Sequence, residues 1–190
     1  MTNRWIKARL LLIVLLLFVA GCEKGKSAAA LAQRLHAKNP RARHRAAKAL
    51  AEMGPDAKEA VPALSQALAD KDAKVRYAVA KALVAIGREA SEAVEPLIAV
   101  LKDSDAQVRY AAARALGAIG PEAREAVPAL AAALKDTDAK VRRFAAMSLC
   151  KIGPDARTAI PALKSALRDG DRQVRDQAAI ALRKIVASAR

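Results

Sequence analysis

Apolar residues recur along this chain at two periods at once. Within one segment they follow the helical spacing: Val75, Val79, Leu83 and Ile86 stand at i, i+4, i+8 and i+11, on one face of an α-helix. The same residues then return every 33 positions. Val75-Arg76 comes back as Val108-Arg109, Val141-Arg142 and Val174-Arg175; Leu83 as Leu116, Leu149 and Leu182; Ile86 as Ile119, Ile152 and Ile185. Asp72 comes back as Asp105, Asp138 and Asp171, and one step earlier stand Asn39, Arg43, Leu50 and Met53. The pattern predicts five units, 28–60, 61–93, 94–126, 127–159 and 160–190. The first diverges most, and the last has Val186 where the others close on Gly.

Each unit reads as two helices. In the second, helix A runs near Val61 to Leu68, with Pro62 at its start, where a missing N–H costs nothing. Asp70-Lys71-Asp72 turns the chain, Asp72 caps helix B, and Gly87, Gly120 and Gly153 end that helix in their units. Ala80 recurs as Ala47, Ala113, Ala146 and Ala179, a small side chain wherever helices must approach closely. One such pair cannot bury its apolar face alone, so neighbours must stack into a continuous core. The pattern V-P-A-L-x3-L-x-D-x-D-x2-V-R-x3-A-x2-L-x2-I-G closely resembles the short HEAT-like repeat first associated with phycobilisome lyases. Tetratricopeptide and ankyrin signatures are absent. The resemblance spans residues 28–190 and implies an all-α, right-handed α-solenoid of five two-helix repeats whose B helices line the concave surface.

The N-terminus follows a different pattern. Arg4, Lys7 and Arg9 precede an uncharged apolar run, Leu10 to Ala20, too short to span a membrane. The run closes on Val19-Ala20-Gly21-Cys22, which resembles the bacterial lipobox. That implies a signal peptide at 1–21, lipidation of Cys22, and a tether at 22–27 reaching at most about 20 Å. By the same resemblance, Glu23 leans towards the outer membrane. The expected place is therefore the bacterial cell envelope, facing the periplasm.

Charge and chemistry refine this picture. The chain has 34 Lys+Arg against 19 Asp+Glu, and aromatic residues make up only 3%. The excess is +4, +1, −1, +3 and +4 over the five units, so the near-neutral centre breaks any basic track for nucleic acid. HEAT-like hydroxylases hold iron through His-Glu pairs; here His36 and His44 are followed by Ala37 and Arg45. Scarce aromatics leave a tetrapyrrole few stacking partners. No catalytic, metal or cofactor site is expected. Cys150 has Ala51, Val84, Gly117 and Arg183 as repeat equivalents, which reads as an undemanding surface position.

Two sets of columns remain. Arg76, Arg109, Arg142 and Arg175 stand four residues after Asp72, Asp105, Asp138 and Asp171. This spacing predicts an i,i+4 ion-pair ladder within helix B; a ligand-binding arginine row is the other reading. Arg43, preceded by Asn39, is the member expected to be free. The variable columns His44, Tyr77, Tyr110, Arg143, Asp176 and Lys48, Lys81, Arg114, Met147, Ile180 fall opposite Val75. His44, Lys48, Tyr77, Lys81, Tyr110, Arg114, Arg143 and Met147 are the expected partner-binding residues, with Tyr77 and Tyr110 side by side and away from the core. The expected function is a lipid-anchored interaction scaffold that binds another envelope protein on its concave face. The alternatives are a HEAT-like lyase, hydroxylase or chaperone acting on a cofactor or protein, and a binder of anionic envelope polymer or lipid.

Overall fold

A computed structural model of the chain describes residues 27–187, and all their regular structure is helical. The expected signal peptide, the expected tether up to residue 26 and the expected lipidation site at Cys22 lie outside the described residues. The A helices are α1 (Ala28–Arg34), α3 (Val61–Ala67), α5 (Val94–Val100), α7 (Val127–Ala133) and α9 (Ile160–Ala166). The B helices are α2 (Pro40–Met53), α4 (Ala73–Ile86), α6 (Ala106–Ile119), α8 (Ala139–Ile152) and α10 (Arg172–Ala187). Tight 3₁₀ segments, Gly54–Ala60, Gly87–Ala93, Gly120–Ala126 and Gly153–Ala159, lead from each B helix into the next A helix. The molecule is an α-solenoid in which each inner B helix packs between the B helices before and after it.

Helix boundaries follow from local chemistry. The Asn39, Asp72, Asp105 and Asp138 side chains accept the N–H two residues on, capping α2, α4, α6 and α8. Those four helices end at Gly54, Gly87, Gly120 and Gly153, with φ of 61°, 71°, 81° and 81°. Their ψ values lie between −131° and −137°, a region open in practice only to glycine. Where Val186 replaces glycine, α10 runs on to Ala187. A Cβ at Gly120 would meet no atom within 4 Å, so the cost of filling it is backbone strain alone. Gly120→Ala should therefore lose about 1–3 kcal/mol in urea unfolding. An unchanged midpoint would show that this turn accommodates a side chain.

The core is one cluster running from Ala28 to Ile185. Leu64, Leu97, Leu130 and Leu163 supply it from the A helices; Leu50, Leu83, Leu116 and Leu149 supply it from the B helices, all fully buried. Ala47, Ala80, Ala113 and Ala146 are fully buried too, as the recurrent small residue implied. The column of Cys150 is less open than its variability suggests. Gly117 is buried and Ala51, Val84 and Cys150 are half-buried, because this column flanks the seam between adjacent B helices, while Arg183 in the last repeat is exposed. A Cβ at Gly117 would collide with Ser148, whose buried hydroxyl donates to the Ala113 carbonyl at 2.7 Å.

Candidate functional site

Two structures are built on this stack, one inside the junctions and one on the surface. The arginine column forms the first. Arg76 Nε donates to Asp103 Oδ2 at 2.6 Å and Nη2 to Asp103 Oδ1 at 2.8 Å, while Nη1 reaches back to the Asp70 carbonyl at 2.8 Å. Arg109 and Arg142 make the same fork with Asp136 and Asp169, and Arg43 with Asp70. Each fork thus fastens one A–B loop to the next.

The ladder therefore differs from the one expected. Asp72, Asp105, Asp138 and Asp171 do not pair with Arg76, Arg109, Arg142 and Arg175. Their carboxylates are held at the helix N-termini by N–H groups such as Lys74 N at 2.8 Å. The arginines lean towards the helix start, as side chains on helices do, and meet the first Asp of the next D-x-D turn instead. Asp70, Asp103, Asp136 and Asp169 are the residues missed. They too recur every 33 positions, and that is the signal that could have found them. Arg43, expected to be free, is the most buried of the set and has both Asp70 oxygens. Arg175 donates to the Asp169 and Gly170 carbonyls and has no carboxylate partner among the described residues.

Burial would raise the Asp70, Asp103 and Asp136 carboxyls, but hydrogen bonds from arginine and from the backbone N–H two residues on outweigh it. At Asp169 the hydrogen bond from Arg142 is the largest influence, against burial. All four are held below the ordinary value of 3.8. A carboxylate depressed on folding stabilises the fold above its unfolded pKa, and that stability disappears as pH falls through the folded value. The melting temperature should hold between pH 7 and about pH 5 and fall below about pH 4. Asp103→Asn should shrink that acid-side fall; an identical pH profile in the variant would place the acid sensitivity elsewhere.

The second structure is the B-helix face. Lys48, Lys81 and Arg114 come from three successive B helices and line one shallow depression, floored by Ala51, Val84 and Ala85. Arg114 also borders the next depression, with Phe144, Met147, Ser148 and Lys151. Five of the expected partner-binding residues are arranged along this strip: Lys48, Lys81, Arg114 and Met147 line it, and Tyr77 underlies Lys81, whose ammonium lies 5.7 Å from the ring centre. Arg114 donates to the Tyr110 hydroxyl at 3.3 Å. Arg143 stacks on Phe144 and donates to the Gln173 side chain. His44 lies apart, beside Pro40, Arg41 and Arg45.

The tyrosines need a correction. Both are half-buried and packed on the core, because neighbouring B helices flank each inner B helix and leave the column of Lys81 more open than that of Tyr77. The ring that Tyr110 meets is Phe144, edge-on at 4.8 Å, a residue outside both variable columns. Among the described residues no cluster of His, Cys, Asp and Glu could hold a metal, and no helix is long and apolar enough to cross a membrane.

A family model described as HEAT repeats matches residues 28–95 and 94–183. No curated protein matches the chain. Among solved structures, an engineered protein is 29% identical with a TM-score of 0.69, covering 82% of this chain and 77% of that one. A designed armadillo repeat protein in complex with the peptide (KR)4 is 20% identical with a TM-score of 0.73, over 86% of this chain and 83% of its own, a likeness of fold. The complex of CpcE and CpcF of phycocyanin lyase from Nostoc sp. PCC7120 contains a chain 25% identical with a TM-score of 0.71, covering 84% of this chain and 65% of that one.

Proposed function

The chain belongs to the HEAT-repeat family, and from that premise we propose that it is a lipid-anchored interaction module of the bacterial envelope that binds a protein on its B-helix face. One observation carries this reading. Core and junction positions repeat from unit to unit, whereas an open column of the B helices reads Lys48, Lys81, Arg114, Met147 and Ile180. Stacking demands the repeated residues; it makes no demand on the varied ones. A surface whose residues vary where the scaffold is uniform, and which mixes cations with Tyr77, Tyr110, Phe144 and Met147, suits recognition of one partner. The designed armadillo protein in complex with a peptide supports the same use of a solenoid.

The test is a photo-crosslinking residue at Lys81, exposed on α4, against one at Gln66, exposed on the A helix α3. Capture of a protein from position 81 alone is the expected result. Capture from 66 alone would move the partner to the other face, and the B-helix reading would fall.

The anchor rests on Val19-Ala20-Gly21-Cys22, after a basic start and a short apolar run. Cys22→Ser should leave an unprocessed precursor that takes up no labelled fatty acid. Normal maturation and membrane retention of this variant would remove the lipid anchor from the proposal.

A further inference from the structure

The strip across the B helices carries a pattern of its own. Lys48, Lys81 and Arg114 occupy the same register on α2, α4 and α6, one cation per repeat, all exposed. In the second and third repeats a tyrosine one turn earlier orients the cation: Tyr77 lies beneath Lys81, and the Tyr110 hydroxyl accepts from Arg114. Neither of these two cations has a carboxylate partner among the described residues. Glu52 is the one acidic side chain among the described residues that line the depression, 3.9 Å from Lys48, with both side chains about two-thirds exposed. Past Arg114 the strip gains an apolar part, where Phe144 and Met147 line the next depression together with Ser148 and Lys151.

Resting on the interaction reading above, we infer that this strip takes an extended acidic segment of a protein, carboxylates over Lys48, Lys81 and Arg114 and an apolar side chain against Phe144 and Met147. Adjacent helix axes lie about 8–10 Å apart, and an extended chain advances about 3.3 Å per residue. The segment therefore moves about three residues per repeat, and about ten residues span the strip. The floor of Ala51, Val84 and Ala85 fits a peptide, which lays Cα and Cβ atoms on it, better than a nucleic-acid backbone, whose phosphates carry a full charge at every nucleotide. Placing the cations on tyrosines lowers the entropy lost when each meets a carboxylate.

The probe is a fluorescein-labelled peptide with Asp at every third position and Ala between, before a terminal Leu-Phe pair, made in both chain directions. Its affinity for the full chain is read by fluorescence anisotropy. At least one direction should bind, more weakly as salt rises, and Lys81→Glu/Arg114→Glu should weaken it at least about tenfold with an unchanged melting curve. Both side chains are exposed, so the charge change leaves the fold intact. Three results overturn the inference: binding that ignores the double charge reversal, equal binding of a Lys-for-Asp version, and tighter binding of a single-stranded oligonucleotide of equal charge. The crosslinker at position 81 separates this from failure of the interaction reading. A captured stretch without acidic residues defeats the acidic chemistry and leaves partner binding standing; capture from position 66 alone defeats both.

Discussion

Leu116→Ala should cost about 3–5 kcal/mol and should split the cooperative unfolding of the array. Leu116 is fully buried at the centre of the stack, in α6, which packs against α4 and α8. Truncation loses the transfer energy of the removed atoms and adds a cavity term that depends on how far the surroundings relax. Here they relax little: Ala112, Ala113 and Ala115 are already fully buried, so backbones stand as close as small side chains permit. A solenoid is held by interfaces between nearest neighbours, so a defect in the third repeat weakens both halves at once. Leu182 holds the same place in the last repeat but is half-buried, so Leu182→Ala should cost less than half as much. Urea unfolding of both variants checks the difference. Equal losses would mean that neither burial nor a central place in the stack sets the cost.

The fold was legible because its causes are local and repeated. The apolar face Val75, Val79, Leu83, Ile86, the N-capping Asp72 and the terminal Gly87 each act within one helix, and each is seen in several copies. Two contacts were not legible in the same way. The ladder joins Arg76 to Asp103, 27 residues on, and only the stacking of one loop on the next brings them together. The i,i+4 rule finds pairs within a helix; it cannot weigh a cap against a neighbour in the next repeat. The B-helix face was legible in its residues but not in its depth. Helical phase alone places Tyr77 opposite Val75, yet the adjacent B helices cover its flanks and leave it half-buried. Phe144 was missed for the same reason: its equivalents in the second and third repeats, Ala78 and Ala111, are buried, and a large ring there is forced outward onto Tyr110.

Arg76→Ala should cost about 2–4 kcal/mol, far more than loss of a surface ion pair. Arg76 makes two charge-assisted bonds to Asp103 and one to the Asp70 carbonyl, with side chains only 15% and 9% exposed across the pair. Removing the fork leaves the Asp103 carboxylate in the junction with the Asp105 N–H as its remaining hydrogen-bond donor among the described residues. The cost of a buried group stripped of its partner outweighs the net gain of the bonds themselves. The contrast is Arg88–Glu122, also between repeats, at 3.3 Å but 68% and 41% exposed. Solvent screens that pair, and Arg88→Ala should cost at most about 1 kcal/mol. Asp103→Ala and the double variant close the cycle: the double loss should fall short of the summed single losses by about 1–3 kcal/mol, because either change alone already breaks the fork. Additive losses, or equal costs for Arg76 and Arg88, would show that the junction is held by its leucines and alanines and that the arginine column is free to bind a ligand. Peptide affinity measured on the same Arg76→Ala protein then separates the two roles. It should stay unchanged, since Arg76 points into the junction and the binding strip lies along Lys48, Lys81 and Arg114.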